Sequence, residues 1–487
     1  MDSSWYSILF GGVYLALIMA FALNIIMHRR SVGVSLAWLV LLFALPVAGF
    51  VCYLLFGPRR LGIKRIKRLE KLHPDYEQWS DHLTAVISGT SVRQDAAQQH
   101  PGIYTLSEQA LGIPVMPSSN LQLFHETDAI IDGILQDIER AKKSIALEFY
   151  IWDATGRGRE LAEALVRAAR RGVDCVVVLD GVGSRHFLRH YWGRRFRLEG
   201  ISVTESLPVG LLRMLVERID IRNHRKILAV DDDIAWTGSF NLVDPEYFKT
   251  DANVGRWVDA MVRMEGVAAH VMSTVVHWDR TLETGEPFSV LQSTYEMPRN
   301  QLSDNRAAVH IMPSGPDGQR ESIHQVLLTA IYESKEELLI STPYFVPDEA
   351  LLTALRSAAM RGVDVQLLVP EKNDSRMVHY ASRSYYDELL NAGVSIQQFK
   401  GGLLHTKCVL VDRSTILFGT VNLDMRSVWL NFEVTLIIYD RAFSQTMALL
   451  LESYIALSEP VEPSSWANRP FRRKLLENTM QLISPLL

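Results

Sequence analysis

The stretch "HRKILAVD" (residues 224–231) places a histidine and a lysine one residue apart at the start of an apolar run that ends in an aspartate. The same spacing returns in "HTKCVLVD" (405–412). Apolar runs of this length are typical of buried strands, where a charged side chain is rare unless it is paired. Two copies in one chain therefore indicate a shared role for both histidines and both lysines.

Each copy is followed by a second β-type run that ends in glycine, a hydroxyl residue, any residue and asparagine. We predict that the two runs form a hairpin with a two-residue turn, at 232–233 in the first copy and 413–414 in the second. Because side chains alternate along a strand, this register gathers one cluster of the same composition in each copy. The predicted pairs are His224 with Asn241, Lys226 with Ser239, His405 with Asn422, and Lys407 with Thr420.

The aspartate of each motif has a different expected position. Asp231 lies an odd number of residues from His224, so in a regular strand it points to the other face. It also stands where the turn begins, a place where aspartate often accepts hydrogen bonds from backbone amides. We therefore predict that Asp231 and Asp412 support the turns and do not carry protons.

The residue types of the cluster favour phosphoryl chemistry over a metal site. Lysine is a cation and not a usual metal ligand. Two lysines can neutralise phosphate oxygens while asparagine and hydroxyl groups donate hydrogen bonds. One histidine can then attack phosphorus to form a phosphohistidine, while the other protonates the leaving alkoxide and later activates an incoming hydroxyl. This chemistry requires neither a metal nor another cofactor.

The segments around the motifs repeat one order of strands and helices. "ALVRAARRGVDCVVVL" (164–179) aligns without a gap with "ALRSAAMRGVDVQLLV" (354–369). Strands that alternate with helices predict an α/β fold, with a mixed, largely parallel sheet in each half and helices that flank it. The repeat predicts two duplicated halves, 106–300 and 301–487, in a pseudo-two-fold arrangement.

Composition sets broad limits on function. The 487 residues include 48% hydrophobic and 22% charged residues, as in ordinary folded proteins. The net charge of −5 gives no reason to expect nucleic acid as a partner. The three cysteines, Cys52, Cys175 and Cys408, are far apart and odd in number, which argues against a disulfide framework.

The first 58 residues have a membrane composition. Two uncharged runs, 5–27 and 31–57, are each long enough to cross a hydrocarbon core of about 30 Å as a helix. We predict two transmembrane helices in 1–58, since the start lacks the basic region of a signal peptide. Pro46 would kink the second helix, and a re-entrant or interfacial hairpin stays open as an alternative.

A basic juxtamembrane segment and linker, 59–105, follows these runs. Its start, "RRLGIKRIKRLEK" (59–71), is more basic than the "HRR" loop at 28–30. The positive-inside tendency then places the N-terminus and the main body of the chain in the cytoplasm, with the chain multi-pass in the membrane. Arg29 and Arg30 favour the opposite orientation. The segment suits contact with anionic headgroups or simple solvation.

The motifs resemble those of the phospholipase D superfamily, whose signature is H-x-K-x4-D followed by x6-G-[S/T]-x-N. The second copy continues as "NLDMRSVWLNFE" (422–433), which matches a longer form of the signature. The first copy departs from that form after "GSFN" (238–241). With the paired N-terminal runs, the whole chain is similar to bacterial cardiolipin synthases of the long type with two transmembrane segments.

This resemblance implies a phosphatidyl transfer between two phosphatidylglycerol molecules in the bilayer, giving cardiolipin and glycerol. It implies His224 as the nucleophile and His405 as the acid and base. It also implies that Glu433 and Asp259 orient the imidazoles, with ordinary surface carboxylates as the alternative. The catalytic set is His224, Lys226, Asp231, His405, Lys407 and Asp412, and the phosphate-binding or supporting set is Ser239, Asn241, Thr420, Asn422 and Glu433.

Other functions remain compatible with the same motifs. A membrane-bound phospholipase D that hydrolyses its substrate, or that uses another alcohol, needs the same donor chemistry. A membrane-tethered nuclease is disfavoured by the acidic balance and by the absence of a basic or aromatic groove. A lipid-binding scaffold with a dead site is disfavoured by two intact motifs. Two segments, 207–219 and 469–487, have the composition of interfacial segments, with packing against the body as the alternative.

Overall fold

The structure is a computed structural model that describes residues 3–27, 32–57, 61–88, 90–210, 213, 217–286, 307–317 and 322–482. It contains two compact units, one of Met1–Ile63 with Val209–Asp220 and one of Lys64–Pro208 with Ile221–Leu487. The boundary predicted at 300/301, the basic loop at 28–30 and parts of the segments 207–219 and 469–487 lie outside the described residues.

The first unit holds three apolar helices, α1 (Ser3–Met27), α2 (Val32–Ala44) and α3 (Pro46–Phe56). The second predicted span is thus divided, because Pro46 lacks a backbone N–H and opens a new helix in place of continuing the old one. Over the part of the chain that the structure describes, no helix combines the length and the apolar character needed to cross a membrane. The predicted transmembrane pair is therefore not confirmed.

The second unit is built on strands from both halves of the chain. The strands before residue 300 are β1 (Met116–Phe124), β2 (Ser144–Phe149), β3 (Asp174–Asp180), β4 (Ser202–Ser206), β5 (Lys226–Val230), β6 (Ile234–Gly238), β7 (Trp257–Val258) and β8 (Met261–Glu265). The later strands are β9 (Ala307–Ser314), β10 (Glu337–Ser341), β11 (Phe345–Val346), β12 (Asp364–Pro370), β13 (Ser395–Phe399), β14 (Leu403–Leu404), β15 (Cys408–Val411), β16 (Thr415–Gly419), β17 (Leu423–Asp424), β18 (Glu433–Tyr439) and β19 (Ser458–Pro460).

Helices connect and cover these strands. The helices before residue 300 are α4 (Ile63–Ile87), α5 (Val92–Gln99), α6 (Pro101–Leu111), α7 (Thr127–Arg140), α8 (Gly156–Arg170), α9 (Arg185–Arg189), α10 (Tyr191–Leu198) and α11 (Val267–Thr284). The later helices are α12 (Ser322–Glu333), α13 (Glu349–Met360), α14 (Arg376–Ser384), α15 (Tyr386–Ala392), α16 (Met425–Trp429), α17 (Arg441–Ala456), α18 (Pro463–Ala467) and α19 (Phe471–Leu482).

The strand order confirms the duplication. One sheet runs β4-β3-β2-β5-β6-β8-β1 through the first half and continues β9-β18-β16-β15-β10-β12-β13-β19 through the second. The halves join where β1 pairs antiparallel with β9, with Met116 opposite Val309. Each strand of the first half in this sheet thus has a counterpart at the mirrored place, so the two motif hairpins are related by a pseudo-two-fold axis at the β1–β9 junction.

The prediction of largely parallel sheets is wrong. Among the described strands of the large sheet, parallel pairing is confined to β2-β3-β4 and to β10-β12-β13. There the helices α8 and α13 provide the long crossovers that parallel neighbours require. The motif strands return through short turns, which can join only antiparallel neighbours, and most of the other described pairs in this sheet are antiparallel as well.

Two helix ends show why the repeated segment folds alike in both halves. Helices α8 and α13 each end two residues before a glycine in the left-handed conformation, Gly172 at φ 89° and Gly362 at φ 93°. A left-handed residue reverses the chain at a helix end with little strain only if it is glycine. The chain then enters β3 or β12 directly.

The core is shared between the halves on one face of the sheet. Apolar residues of α11 and α17 form one continuous cluster with strands of both halves, including Ile227 and Leu410. On the other face, each half has a cluster of its own, under α7 and α8 in the first and under α12 and α13 in the second. The two halves therefore share one buried layer behind the motifs.

The predicted hairpin register is wrong by one residue in both copies. Ile227 faces Thr237 and Cys408 faces Phe418, so each turn contains three residues and begins with the motif aspartate. Asp231 and Asp412 have φ values of 54° and 47°, and the residue after each is also left-handed. Aspartate tolerates this conformation better than most residues, which allows it to enter the turn itself.

The motif aspartates anchor the turns to the neighbouring strands. The Asp231 carboxylate accepts hydrogen bonds from the backbone N–H groups of Lys142, Lys143 and Ser144 at 2.6–3.2 Å, where β2 begins. Asp412 accepts the same three bonds at the start of β10, at 2.8–3.2 Å. This position agrees with the predicted supporting role, while the absence of a role in proton transfer stays a prediction.

Removing this anchor should reduce stability more than it reduces catalysis. In Asp231→Ala, three backbone N–H groups lose their acceptor, and we expect a loss of roughly 1–3 kcal/mol in the free energy of unfolding. Asp231→Asn keeps one acceptor oxygen and the left-handed turn, so its loss should be smaller. The measurements are the thermal midpoint in detergent and the turnover per folded molecule. If Asp231→Ala abolished turnover with the midpoint unchanged, Asp231 would belong to the chemistry.

Candidate active site

The two motifs meet because each is hydrogen bonded to the opposite half. The backbone N–H of His224, two residues before β5, donates to the carbonyl of Phe432 at 2.8 Å. The backbone N–H of His405, directly after β14, donates to the carbonyl of Val258 at 2.8 Å. Strand β14 also pairs with β7 of the first half. Both histidines are therefore held at the junction of the halves.

Each imidazole contacts a carboxylate that the other half supplies. His224 Nδ1 lies 2.9 Å from Glu433 Oε2, and His405 Nδ1 lies 2.6 Å from Asp259 Oδ1. We call these two contacts the exchanged pairs. A carboxylate on one ring nitrogen fixes the tautomer and the ring orientation, which leaves Nε2 of each imidazole for chemistry.

The motif lysines lie beside the histidines and are buried. Lys226 Nζ donates to the carbonyl of His224 at 2.9 Å, and Lys407 Nζ donates to the carbonyl of His405 at 2.6 Å. An ammonium group has three donors, so two on each lysine remain for a ligand. Burial lowers the pKa of Lys226 to about 8 and lowers the pKa of Lys407 well below its usual value. A bound phosphate would favour the charged form of both.

Burial also favours the neutral form of both imidazoles. It lowers the pKa of His224 to about 4, against the opposing effect of Glu433. It lowers the pKa of His405 to about 4, with Lys407 adding to the effect and Asp259 opposing it. A neutral imidazole is the form that can attack phosphorus. The negative charge of a phosphodiester would favour protonation of the partner that acts as the acid.

The carboxylates of the exchanged pairs remain ionised. Burial raises the pKa of Glu433 and of Asp259, but the neighbouring imidazoles and lysines outweigh burial and hold each pKa below its usual value. Both side chains are almost completely buried. Their charges are thus directed at the histidines and lysines and are not screened by solvent.

The two hydroxyl residues hold the strands that carry the carboxylates. Ser239 Oγ donates to Asp259 Oδ1 at 2.6 Å and accepts from the backbone N–H of Ala260 at 3.0 Å. Thr420 Oγ1 accepts from the backbone N–H of Val434 at 2.9 Å, next to Glu433. Ser239 and Thr420 each come directly after the second strand of a motif hairpin. The prediction that they lie opposite the lysines is therefore wrong. Direct phosphate binding by these hydroxyls stays a prediction.

The two motif asparagines are buried but have different partners. Asn241 Oδ1 accepts from the backbone N–H of Ile151 at 3.3 Å. Asn422 Nδ2 donates to Ser427 Oγ at 3.0 Å, and its Oδ1 has no hydrogen-bond partner among the described residues. The longer form of the second motif explains the difference, since Ser427 belongs to the part that the first copy lacks. Phosphate binding by either amide stays a prediction.

Sequence reasoning missed the aromatic residues that flank the imidazoles. The Tyr150 ring lies edge-on to His224, with centroids 5.1 Å apart, and the Trp257 ring lies 4.5 Å from His405. Tyr344 donates its hydroxyl to Asp374 at 2.9 Å. Tyr150 comes one residue after β2 and Tyr344 three residues after β10, so the two rings do not occupy equivalent positions of the repeat.

Sequence reasoning also missed Arg225, which lies between His224 and Lys226. Arg225 Nε donates to the backbone carbonyl of Glu433 at 3.0 Å, and its guanidinium forms a buried ion pair with Asp279. Arg65 of α4 lies 3.7 Å from the same aspartate. Arg225, which alternates with His224 and Lys226, thus holds the backbone of Glu433 from the other half of the chain.

Loss of an exchanged carboxylate should slow the reaction without unfolding the protein. In Glu433→Gln or Asp259→Asn, the imidazole loses the charge that orients it, and we expect kcat to fall by roughly 10²–10⁴ while KM changes little. Steady-state kinetics with a phospholipid substrate tests this expectation.

A matched control exists in the second half, where His324 Nε2 lies 2.9 Å from Asp348 Oδ2 outside the motifs. Asp348→Asn removes the same charge from a buried histidine and keeps an oxygen that can cap α13, so its kcat should stay near that of the unmodified protein. Equal losses in Glu433→Gln and in Asp348→Asn would show a general folding defect and contradict the orienting role.

Comparisons with known proteins agree with this geometry. Residues 134–260 and 327–455 each match the family described as "Cardiolipin synthase, PLD-like domain", and residues 16–58 match "Phospholipase D-nuclease N-terminal". The protein named cardiolipin synthase A of Edwardsiella ictaluri is 44% identical over 487 residues, covering 99% of this chain and 98% of that protein. The protein of the same name from Serratia proteamaculans is 44% identical over 485 residues, with the same coverage.

A solved structure shares the fold of the second unit. It is titled as a phosphatidylserine synthase of Haemophilus influenzae and covers 79% of this chain and 100% of its own, with a TM-score of 0.60. Its sequence identity of 15% means that the likeness concerns the fold.

Proposed function

Since the chain belongs to the cardiolipin synthase family of phospholipase D-like phosphatidyltransferases, we propose that both of its substrates are phosphatidylglycerol. One molecule gives its phosphatidyl group and releases glycerol, and the other receives the group on its terminal hydroxyl to become cardiolipin. The observation that supports this reaction best is the pair of exchanged imidazole–carboxylate contacts, with two lysines beside them.

The first step forms a covalent intermediate. His224 Nε2 attacks the phosphorus of the donor, and a P–N bond forms while the bond between phosphorus and the glycerol oxygen breaks. His405 Nε2 gives its proton to that oxygen, so that glycerol leaves as a neutral alcohol. Lys226 and Lys407 attract the non-bridging oxygens, whose charge grows in the transition state.

The second step reverses the roles of acid and base. His405 Nε2, now neutral, takes the proton of the acceptor hydroxyl as the oxygen attacks phosphorus. The P–N bond breaks, cardiolipin forms and His224 is regenerated. His405 holds this proton at the end of the transfer, so the two steps together neither take up nor release a proton.

Burial supports the choice of His224 as the nucleophile. Its side chain is 10% exposed, whereas that of His405 is 3% exposed. The more accessible ring suits contact with the bulky phosphorus, and the more enclosed ring suits the transfer of a proton to and from a small oxygen. An enclosed site also limits the access of water, which competes with the lipid hydroxyl for the intermediate.

The reaction also suits a location at the inner membrane. Both substrates are lipids, and the apolar helices α1, α2 and α3 begin the chain. We place residues 1–58 in the membrane as the predicted pair of spans, with the basic segment 59–105 and the two halves that follow on the cytoplasmic side. The apolar composition and the match of residues 16–58 to a phospholipase D N-terminal family support this placement.

Product analysis tests the reaction class. Purified protein given only phosphatidylglycerol in mixed micelles should form cardiolipin and glycerol in equal amounts, without a metal or a nucleotide. His224→Ala should form neither, by mass spectrometry of the lipids and an enzymatic assay of glycerol. Phosphatidic acid as the main product would show that the protein is a hydrolase and not a synthase. Cleavage of single-stranded DNA at a comparable rate would favour the nuclease.

Trapping of the intermediate tests the separate roles of the histidines. In His405→Ala, proton transfer to the leaving oxygen and from the acceptor hydroxyl is lost, and we expect both steps to slow by roughly 10²–10⁴. A donor with a leaving group that needs no proton, such as p-nitrophenol, should restore only the first step and let the intermediate accumulate.

An alkaline quench and peptide mass spectrometry should then find the phosphatidyl group on His224. The label should be absent from His224→Ala given the same donor. A label on His405 in the His224→Ala protein would reverse the two assignments without changing the reaction.

A further inference from the structure

The C-terminal helix α19 presents an apolar edge to solvent. Phe471, Leu475 and Leu482 are 75%, 56% and 82% exposed. At 3.6 residues per turn, these three side chains lie within about 40° of one another around the helix axis. A single exposed leucine is ordinary, but an aligned set on one helix is typical of a surface that contacts something apolar.

The opposite side of α19 is fixed to the protein. Glu477 is fully buried and accepts from Arg469 Nε at 2.7 Å, and Arg469 also binds Asp387 at the start of α15. The helix packs against α14, where Met377 is another exposed apolar residue. The orientation of α19 is therefore set by buried ion pairs, and its apolar edge is held outwards.

Cations border this edge. Arg472 follows Phe471 and is exposed, and Arg376 begins α14 beside Met377. Arg473 lies on the other side of the helix, where it pairs with Glu477. On α19 the acidic residue, Glu477, is already paired with arginine. An apolar strip with arginines along its margin matches the boundary of a bilayer with anionic headgroups, where apolar side chains enter the acyl region and cations stay at the phosphates.

Helix α14, which packs against α19, lies after the C-terminal end of β12 in the sheet that carries the motifs. Helix α14 begins two residues after Asp374, which follows the end of β12. The Asp374 carboxylate binds the Tyr344 hydroxyl and pairs with Lys249 at 2.9 Å, and the Lys249 ammonium lies 5.5 Å from the centre of the Trp257 ring that packs on His405. A short chain of contacts thus links α14 to the acid–base histidine.

We propose that α14 and α19 form a membrane-surface contact, which we call the interfacial strip, and that it binds the anionic bilayer from which the substrates are drawn. Its apolar members are Met377, Phe471, Leu475 and Leu482, and its cations are Arg376 and Arg472. The proposal rests on the proposed function in one respect, namely that the substrate is an anionic phospholipid. It places the opening of the site at the headgroup level, so that a lipid can reach the histidines without leaving the membrane completely.

Fluorescent labelling of the full-length protein tests the contact. In a Cys52→Ser background, the cysteine of Leu475→Cys would carry an environment-sensitive dye, because Cys175 and Cys408 are buried. After reconstitution into vesicles of phosphatidylglycerol and phosphatidylethanolamine, the dye emission should shift to the blue, and brominated acyl chains should quench it. Vesicles of phosphatidylcholine alone should give a weaker response, since the cations then lose their partners.

Met360 provides the matched control. It is 75% exposed, like Phe471, but it precedes the start of β12, whereas Asp374 and α14 follow its end. A dye at Met360→Cys should report water in both kinds of vesicle. Equal responses at positions 360 and 475 would overturn the proposal. So would a blue shift at 475 that appears without lipid and disappears on dilution, because a second copy of the chain would then cover the strip.

Kinetics in mixed micelles provides a second measurement. The double variant Phe471→Ser, Leu475→Ser should raise the KM for phosphatidylglycerol at the micelle surface about tenfold, because two buried apolar contacts with the lipid are lost, and should leave kcat unchanged. Met360→Ser should change neither.

If the unmodified protein made no cardiolipin while the dye still entered the bilayer, the proposed function would fail and the strip would stand. Cardiolipin synthesis with a dye that stays in water would overturn the strip and leave the proposed function intact.

Discussion

The site depends on one constraint, which is that each motif imidazole takes its carboxylate from the other half of the chain. The pairs His224–Glu433 and His405–Asp259 cross the pseudo-two-fold axis in opposite directions. Neither half contains a complete set of groups, so the rigid joining of the halves becomes a requirement for chemistry. The continuous sheet through β1 and β9 and the buried layer under α11 and α17 satisfy that requirement. The parts of the fold that look purely architectural thus fix the relative position of the reacting groups.

A second constraint follows from where these groups lie. Two imidazoles, two ammonium groups and two carboxylates are almost completely buried, and burial is unfavourable for every charged form. Each imidazole contacts a carboxylate and each lysine donates to a carbonyl, and these contacts offset the cost of burial. The lowered pKa values of the lysines and histidines indicate that these contacts offset the cost of burial only in part. A bound phosphodiester would place a negative charge beside these groups. The cost of burying their cationic forms would then fall, which would favour binding of the phosphodiester.

Much of this could be predicted from the sequence, and the limits have physical causes. The repeated motif identified both histidines and both lysines, because a spacing shared by two copies is a local signal. The predicted hairpin register is wrong by one residue, because a left-handed aspartate can lengthen a turn without changing the apolar pattern of the flanking strands. The parallel sheets were overestimated because strand–helix alternation covers only part of each half. Glu433 was found through the longer form of the second motif, whereas Arg225 and Tyr150 act through contacts between distant segments that no spacing along the chain reveals.

The β1–β9 pairing has a consequence for how such a site can arise. The two strands run antiparallel across the axis, as the equivalent strands of two identical chains would in a symmetric dimer. A polypeptide with a single half could therefore assemble this site by self-association, each subunit lending its carboxylate to the histidine of its twin. Fusion into one chain frees the two copies to diverge, and the longer second motif and the fuller enclosure of His405 are such divergences. Two symmetric histidines could thereby become a dedicated nucleophile and a dedicated proton carrier.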